Sequence, residues 1–169
     1  FDGTTFVSQT EAEDFRRMSN MGENKVTHVN NGVDTDDFDP DIALPNPYQG
    51  SGPVIVLSGA MDYWPNIDAV EWFVSQVLPK LRVDLPTLGF CIAGARPTDA
   101  VLALGRVPGV TVTGAVADIR PYIRHATLAI APLRIARGVQ NKVLEAMAMA
   151  KRVVVSRQAA EGIEADAGR

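Results

Sequence analysis

Short apolar runs alternate with helical patterns through the middle of this chain, and no other feature restricts its fold as strongly. The runs are typical of buried strands because they are rich in Val, Ile, Leu and Ala, and three of them stop directly before a glycine. They cover residues 53–58, 87–93, 110–113, 126–132 and 152–156, and helical patterns occupy 66–78, 98–105, 119–124 and 138–150. Asn66 is the predicted cap of the first of these helices, and Pro79 is predicted to end it. Strands joined through helices, without hairpin turns, predict the α/β class: a parallel sheet covered by helices on both faces.

The same topology predicts where a ligand binds. In an open parallel sheet, ligands bind beyond the carboxyl ends of the strands. We therefore expect the loops that follow Ser58, Ala93, Thr113 and Pro132 to line the functional site.

Composition excludes several classes of protein. The 169 residues carry a net charge of −4, whereas non-specific binding to nucleic acid or anionic membranes needs a basic surface. We therefore expect no nucleic-acid partner. A single cysteine, Cys91, cannot form an internal disulfide and does not indicate an oxidising compartment. No apolar run reaches the ~20 residues of a membrane span, and the sequence holds no P-loop, no Gly-x-Gly-x-x-Gly and no His-Glu-x-x-His.

The helical pattern at 138–150 carries the strongest indication of a binding site. Gly138, Asn141, Lys142 and Glu145 follow at i, i+3, i+4 and i+7 and therefore share one polar face near the helix N-terminus. Free N–H groups and the positive end of the helix dipole favour an anion at such a position. The face suits a phosphate beside Lys142 and a hydroxyl-bearing group, such as ribose, beside Glu145.

Two arginines belong to the same region. Arg134 and Arg137, in the loop before the helix, would add positive charge for a phosphate. An alternative interpretation is a solvated helix face, with a Lys–Glu pair at i and i+3 that stabilises the helix by a few tenths of a kcal/mol. Spacing alone leaves both interpretations open.

The acidic stretch at 34–41 invites a metal-site interpretation, since hard cations bind several carboxylates. It lacks the glycine and glutamate positions of a calcium loop, and Pro40 interrupts it. Asp and Pro are ordinary turn formers, so we expect a turn-rich linker and no metal site here. The Pro/Gly-rich segment 44–53 that follows is a candidate domain boundary.

Several short motifs occur in the order found in one enzyme family. They are Asn31-Gly-Val-Asp34 with Phe38-Asp-Pro40, Gly59–Asn66, Val110–Gly114 with Asp118, Ala131–Arg134 and Lys142–Ala148. In this order they resemble the group-1 retaining glycosyltransferases of GT-B fold. The run Arg134–Ala148 is similar to bacterial sugar transferases linked to exopolysaccharide and PEP-CTERM sorting systems.

The resemblance implies a Rossmann-like three-layer sandwich, the C-terminal domain of a two-domain GT-B enzyme. It assigns residues 26–169 to this nucleotide-sugar-binding domain, incomplete at its C-terminus, and residues 1–25 to a remnant of the N-terminal acceptor domain. The implied donor is a UDP-, GDP- or ADP-type sugar, with no cofactor and no metal. The catalytic groups and the glycan or lipid-linked acceptor would belong to the first domain, so this piece of a hexosyltransferase is expected to be inactive alone.

Carried over by position, the resemblance places the donor diphosphate at Lys142 and its ribose at Glu145. The loop after Gly59 would approach the phosphates, and the backbone around Val116 and Ala117 would meet the base. The implied compartment is the cytoplasm, with peripheral contact at the inner face of the membrane left open for the whole enzyme.

Two departures from the family pattern concern charge. Arg137 stands where the family often has a second glutamate that holds the transferred sugar. The loop 59–66 lacks the arginine and lysine that clamp the diphosphate in many members, and we hypothesise that Arg134 or Arg137 supplies this charge. A sugar-nucleotide epimerase of GT-B fold and a non-catalytic module with a degenerate nucleotide site are the alternatives.

Overall fold

A computed structural model describes residues 2–19 and 23–163 of the chain, and its centre is a five-stranded parallel sheet. The strands in this part of the chain are β1 Thr4–Phe6, β2 Val26–His28, β3 Val54–Ser58, β4 Gly89–Ala93, β5 Val110–Val112, β6 Leu128–Ala131 and β7 Val153–Val155. The central sheet has the order β5-β4-β3-β6-β7, and every pairing in it is parallel. The predicted α/β fold with a parallel sheet is confirmed.

Helices cover both faces of this sheet. Around the central sheet they are α2 Trp64–Trp72, α3 Leu78–Asp84, α4 Asp99–Leu104, α5 Arg120–His125 and α6 Asn141–Ala148. A further helix, α1 Gln9–Ser19, packs against β1 and β2. Alternation along β3 explains the two helical layers: Ile55 and Leu57 pack in a core with α2, whereas Val56 packs in a second core with α5 and α6. None of the helices in residues 2–19 and 23–163 is long and apolar enough to cross a membrane.

A π-helical stretch, Phe73–Val77, joins α2 to α3. The sequence predicts that Pro79 ends the helix, and this prediction is wrong, because the chain stays helical to Asp84. A proline lacks an N–H donor and crowds the preceding turn, and the wider π turn accommodates both effects. The Ser75 hydroxyl donates to the Glu71 carbonyl at 2.8 Å and so satisfies one carbonyl beside the widened turn.

The N-terminal residues form a second, two-stranded sheet in which β1 and β2 run parallel, with α1 packed against it. Ser8 caps α1, since its hydroxyl oxygen accepts from the Glu11 N–H at 3.3 Å and its hydroxyl donates to the Glu11 carboxylate at 3.1 Å. The pairing of β1 with β2 crosses the boundary predicted between residues 25 and 26. Of the two predicted domain ranges, residues 1, 20–22 and 164–169 lie outside the described residues.

The acidic stretch forms tight turns. Asp34 Oδ1 accepts from the N–H groups of Asp36 and Asp37 at 3.0 and 3.1 Å, and Asp39 Oδ1 accepts from the Asp41 N–H at 2.8 Å. These Asx turns confirm the predicted turn-rich linker. Across the described residues, no group of three or more His, Cys, Asp or Glu side chains is placed to hold a metal ion.

The Pro/Gly-rich segment 44–53, called the connector below, lies on the central sheet. The Tyr48 hydroxyl donates to the Tyr122 carbonyl at 2.6 Å, and the two rings meet edge to face with centroids 6.1 Å apart. Tyr48 packs on the core that contains Cys91 of β4, and burial raises the pKa of the Cys91 thiol to about 11. This segment therefore belongs to the packing of one sheet face.

Candidate functional site

A cleft of about 470 Å³ opens at the carboxyl ends of β3, β4 and β5. The loops after these strands and the first turn of α6 form its walls. The lining residues include Ser58, Gly59, Ala60, Tyr63, Asn66, Gly94, Ala95, Ala115, Val116, Ile119, Gln140, Asn141, Lys142 and Glu145. The expectation that the loops after Ser58, Ala93 and Thr113 meet at one place is confirmed. The loop after β6 reaches the cleft only at its end.

Sheet topology explains the position of the cleft. From β3 the chain adds β4 and β5 on one side, and then returns to add β6 and β7 on the other side of β3. The loops after β3 and β6 therefore leave the sheet in opposite directions and open a crevice between them. The helix that follows β6 is α6, and its first turn faces this crevice.

Two glycines let the loops after β3 and β4 touch. A Cβ on Gly94 would lie 1.7 Å from the Gly59 carbonyl oxygen, so no side chain fits at Gly94. The Gly59 N–H donates to the Ala93 carbonyl at 3.0 Å, which fixes the two loops together. A Cβ on Gly59 would meet the Asn66 amide nitrogen at 2.8 Å. The floor of the cleft is consequently bare backbone that a ligand can approach closely.

Lys142 reaches this floor from α6. Its ammonium donates to Asn66 Oδ1 at 2.5 Å and would lie 3.3 Å from a Cβ on Gly59. None of the ion pairs found among the described residues involves Lys142. Burial lowers the pKa of this lysine to about 8, although the charge of nearby Glu145 opposes the shift. The cleft therefore holds a half-buried ammonium whose hydrogen-bond partner is a neutral amide.

Glu145 stands one turn further along α6 and lines the same wall of the cleft. Burial raises the pKa of its carboxyl, and the Lys142 ammonium reduces this increase. Both side chains are half-buried in the cleft, so the interpretation of a merely solvated helix face does not hold for them. A cation and a carboxylate thus face the same space from one helix.

The predicted site residues divide into two groups. Gly59, Val116, Asn141, Lys142 and Glu145 line the cleft, whereas Ala117, Arg134, Arg137 and Gly138 do not. The predicted helix start at 138 is wrong, because Gly138 has φ of +64° and α6 begins at Asn141. The Gln140 side-chain amide donates to the carbonyls of Arg137 and Gly138 at 3.1 and 3.3 Å and holds them outside the helix. Gly138 therefore does not share a helix face with the other three polar residues.

Both arginines of the preceding loop have other neighbours. The Arg134 guanidinium forms a two-point ion pair with the Asp68 carboxylate of α2, with 2.9 Å between Nε and Oδ2. This contact holds the pKa of Asp68 below its ordinary value. Arg137 is exposed and borders a groove against α1, with Glu11 on the opposite wall. Lys142 therefore lines the cleft, whereas Arg134 and Arg137, the other two cations predicted around this helix, do not.

Sequence reasoning missed two residues of the cleft floor, Asn66 and Gly94. The sequence predicts Asn66 as a helix cap, but α2 begins at Trp64, and the Asn66 side chain turns towards Lys142 and is 3% exposed. The sequence could have identified Gly94 as a residue of the cleft, because it directly follows a strand in the same way as Gly59 does. Nothing in the sequence identifies Asn66 in this way, since its hydrogen-bond partner Lys142 lies 76 positions away in the chain.

The structure is a Rossmann-like α/β domain with a cleft at the carboxyl edge of its parallel sheet. Residues 52–168 match the family model Glycosyl transferases group 1, and the chain belongs to this family. No curated protein matches its sequence significantly.

Several solved glycosyltransferases of GT-B fold are similar in structure to this chain. A glycosyltransferase from Rickettsia africae has a TM-score of 0.76 at 18% identity, covering 97% of this chain and 47% of its own. WaaG, a glycosyltransferase involved in lipopolysaccharide biosynthesis, has a TM-score of 0.70 at 13% identity, covering 91% of this chain and 44% of its own.

A third structure was solved with ligands. HepE from Anabaena, in complex with UDP and glucose, has a TM-score of 0.63 at 16% identity, covering 92% of this chain and 44% of its own. The present chain therefore spans less than half the length of these three structures. Because the sequence identities are below 20%, the similarity to these structures shows that the fold is shared and nothing beyond the fold.

Proposed function

We propose that this chain binds the nucleotide-sugar donor of a GT-B glycosyltransferase. The observation that carries the proposal is the pairing of a half-buried ammonium, Lys142, with a carboxylate, Glu145, in the cleft at the carboxyl edge of the sheet. Membership of the glycosyl transferases group 1 family supports a donor of this class. A nucleoside diphosphate carries the complementary groups, an anionic diphosphate and a ribose with two hydroxyls.

The diphosphate would lie over the Gly59 loop, which is the loop that follows β3 and begins at Gly59. Lys142 is the cation on this floor, and the first turn of α6 adds the positive end of a helix dipole. Negative charge grows on the leaving diphosphate as the sugar departs, and a preorganised ammonium stabilises that charge without reorganising solvent. The proposed transfer needs no metal cofactor, since the protein itself supplies this cation.

The ribose would lie beside Glu145. A carboxylate has two oxygens that can accept from two hydroxyls at once, which suits a vicinal diol. Burial strengthens such hydrogen bonds because water competes less for them. The base would then meet the loop after β5, where Val116 and Ile119 line the cleft.

We further propose that the whole enzyme retains the configuration of the sugar and acts on a cell-envelope or exopolysaccharide acceptor. Support comes from the resemblance of Arg134–Ala148 to bacterial sugar transferases of that kind. The acceptor and the groups that act on it would lie in the part of such enzymes that this chain does not span. The anomeric configuration of the product, read by NMR, tests retention directly.

A thermal-shift screen of this chain with UDP, GDP, ADP and their glucose conjugates tests the proposed donor site. A ligand that binds only the folded state stabilises it by about 2.7 kcal/mol at a hundred times its Kd. The melting temperature rises as a result. We expect one base to raise the melting temperature and the other two to raise it less. A flat response to all six ligands at millimolar concentration would contradict the proposal.

A further inference from the structure

We propose that Asn66 is a positioning residue that holds the Lys142 ammonium over the Gly59 loop, so that the lysine faces the diphosphate of a bound nucleotide. The inference rests on the proposed function and assigns a role to a residue on a different helix. Asn66 belongs to α2, Lys142 to α6, and Gly59 to the loop after β3. The asparagine therefore joins three elements at the floor of the cleft.

The orientation of the Asn66 amide follows from its two neighbours. Its Nδ2 donates to the Ala60 carbonyl at 2.9 Å, and its Oδ1 accepts from Lys142 Nζ at 2.5 Å. A carbonyl can only accept and an ammonium can only donate, so the opposite orientation of the amide would lose both bonds. The side chain is buried in addition, which leaves it little freedom to move away from the lysine.

The neutrality of the amide matters as much as its position. An ammonium has three N–H donors, and the bond to Asn66 uses one of them. A carboxylate at position 66 would face the same ammonium, but it would cancel that charge before a ligand arrives and could not donate to the Ala60 carbonyl. Asparagine fixes the ammonium and leaves its charge for an anion. Glu145 is the titratable group of the same helix that also faces this lysine.

The variant Asn66→Asp tests the position of the lysine without a ligand. It keeps the size of the side chain and places a carboxylate against the ammonium, so we expect the pKa of Lys142 to rise by about 1 or more. An NMR titration of ¹³C-labelled lysine side chains measures this value in the whole chain, with Lys142→Arg to assign the signal. An unchanged pKa in Asn66→Asp would overturn the claim that Asn66 holds Lys142.

Calorimetry tests the consequence for binding. With the nucleotide base that wild type prefers among UDP, GDP and ADP, we expect both Asn66→Ala and Asn66→Asp to weaken the diphosphate at least tenfold. Affinity for the matching monophosphate should change less, so the ratio of the two affinities falls. A general packing defect would weaken both nucleotides alike, and that outcome, or an unchanged ratio, would overturn the positioning role.

A matched control and a folding check complete the design. Asn46→Ala removes an exposed asparagine that does not line the cleft and whose Oδ1 accepts from the Tyr48 N–H at 2.9 Å, so it should change neither readout. Circular dichroism and thermal melts confirm that each variant is folded, and Asn66→Asp is the variant that best keeps the packing. If wild type binds none of the three diphosphates, the proposed function fails, while the titration still decides whether Asn66 holds the lysine.

Discussion

The carbonyl oxygen of Gly59 occupies the space in which a side chain at Gly94 would begin, 1.7 Å from the position of its Cβ. The two residues follow adjacent parallel strands, β3 and β4, at the same register: Ser58 pairs with Ala93 directly before them. This contact brings the two loops together at the floor of the cleft. The shape of the cleft therefore depends on the absence of one methyl group.

We predict that Gly94→Ala destabilises the protein strongly. The new methyl group must push the Gly59 loop aside, and overpacking of this kind costs about 3 kcal/mol in free energy of unfolding. Gly32→Ala is the matched control, because a Cβ at Gly32 meets nothing within 4 Å, and its cost should stay within about 0.5 kcal/mol. Urea denaturation measures both variants, and equal stabilities would contradict the close contact.

The pH dependence of binding follows from the pKa of Lys142. The charged ammonium binds the diphosphate, and burial lowers its pKa to about 8 in the free protein. Affinity for the nucleoside diphosphate that wild type prefers should therefore be level near pH 7 and fall about tenfold per pH unit above 8, because the free lysine loses its proton there. Burial raises the pKa of the Glu145 carboxyl. Protonation of this carboxyl should therefore weaken binding as the pH falls, because it removes an acceptor for the ribose hydroxyls.

The control for this profile is Lys142→Arg, since a guanidinium keeps its charge across the whole range. This variant should bind the same nucleoside diphosphate more weakly, and its affinity should show no change of slope near pH 8. The terminal phosphate of the nucleoside diphosphate itself ionises near pH 6, so it stays fully charged between pH 7 and 9.5. A wild-type affinity that is constant from pH 7 to 9.5 would contradict the role of Lys142.

Arg134 gives a prediction of the opposite kind. Its guanidinium is bound to Asp68 and lies outside the cleft, so Arg134→Ala should leave the affinity for the preferred nucleoside diphosphate within about twofold of wild type. The Arg134 side chain is exposed whereas Asp68 is mostly covered, and loss of the ion pair should cost about 1 kcal/mol of stability. Calorimetry and urea denaturation check the two statements. A tenfold loss of affinity would restore Arg134 as a diphosphate ligand.

Tyr48→Phe tests the attachment of the connector to the sheet. The variant removes the hydroxyl that donates to the Tyr122 carbonyl and should cost about 1 kcal/mol in free energy of unfolding. Tyr63→Phe is the comparison, because the Tyr63 side chain is exposed, and its stability should stay close to that of wild type. If both variants are equally stable, the connector does not depend on this bond.

The sheet was predictable because its evidence is local. Each strand of the central sheet lies in a short apolar run, and the order of strands and helices along the chain determines a parallel topology. The loops at the carboxyl edge follow from that topology, so the sequence alone predicts that Gly59, Lys142 and Glu145 share one site. It does not predict the start of α6, since the positive φ of Gly138 and the side-chain bonds of Gln140 displace it by three residues.

The contacts that shape the site are not local. Asn66 meets Lys142 across 76 positions, and Asp68 meets Arg134 across 66. Both pairs join α2 to the region after β6, and this proximity arises because β6 lies next to β3 in the sheet. Neither the spacing of polar residues nor helix propensity carries that information. The sequence therefore could not distinguish the cation that enters the cleft from the cation held by an aspartate.

Isothermal titration calorimetry of this chain with UDP, GDP and ADP tests the central claim most directly. We predict that wild type binds one of the three and that Lys142→Ala weakens this binding at least tenfold, since a charge-assisted hydrogen bond contributes about 1.5–3 kcal/mol. Glu145→Ala should weaken it similarly and reduce the preference for ribose over 2′-deoxyribose nucleotides. Affinities that remain at the wild-type value in both variants would contradict the assignment of this cleft as a donor nucleotide site.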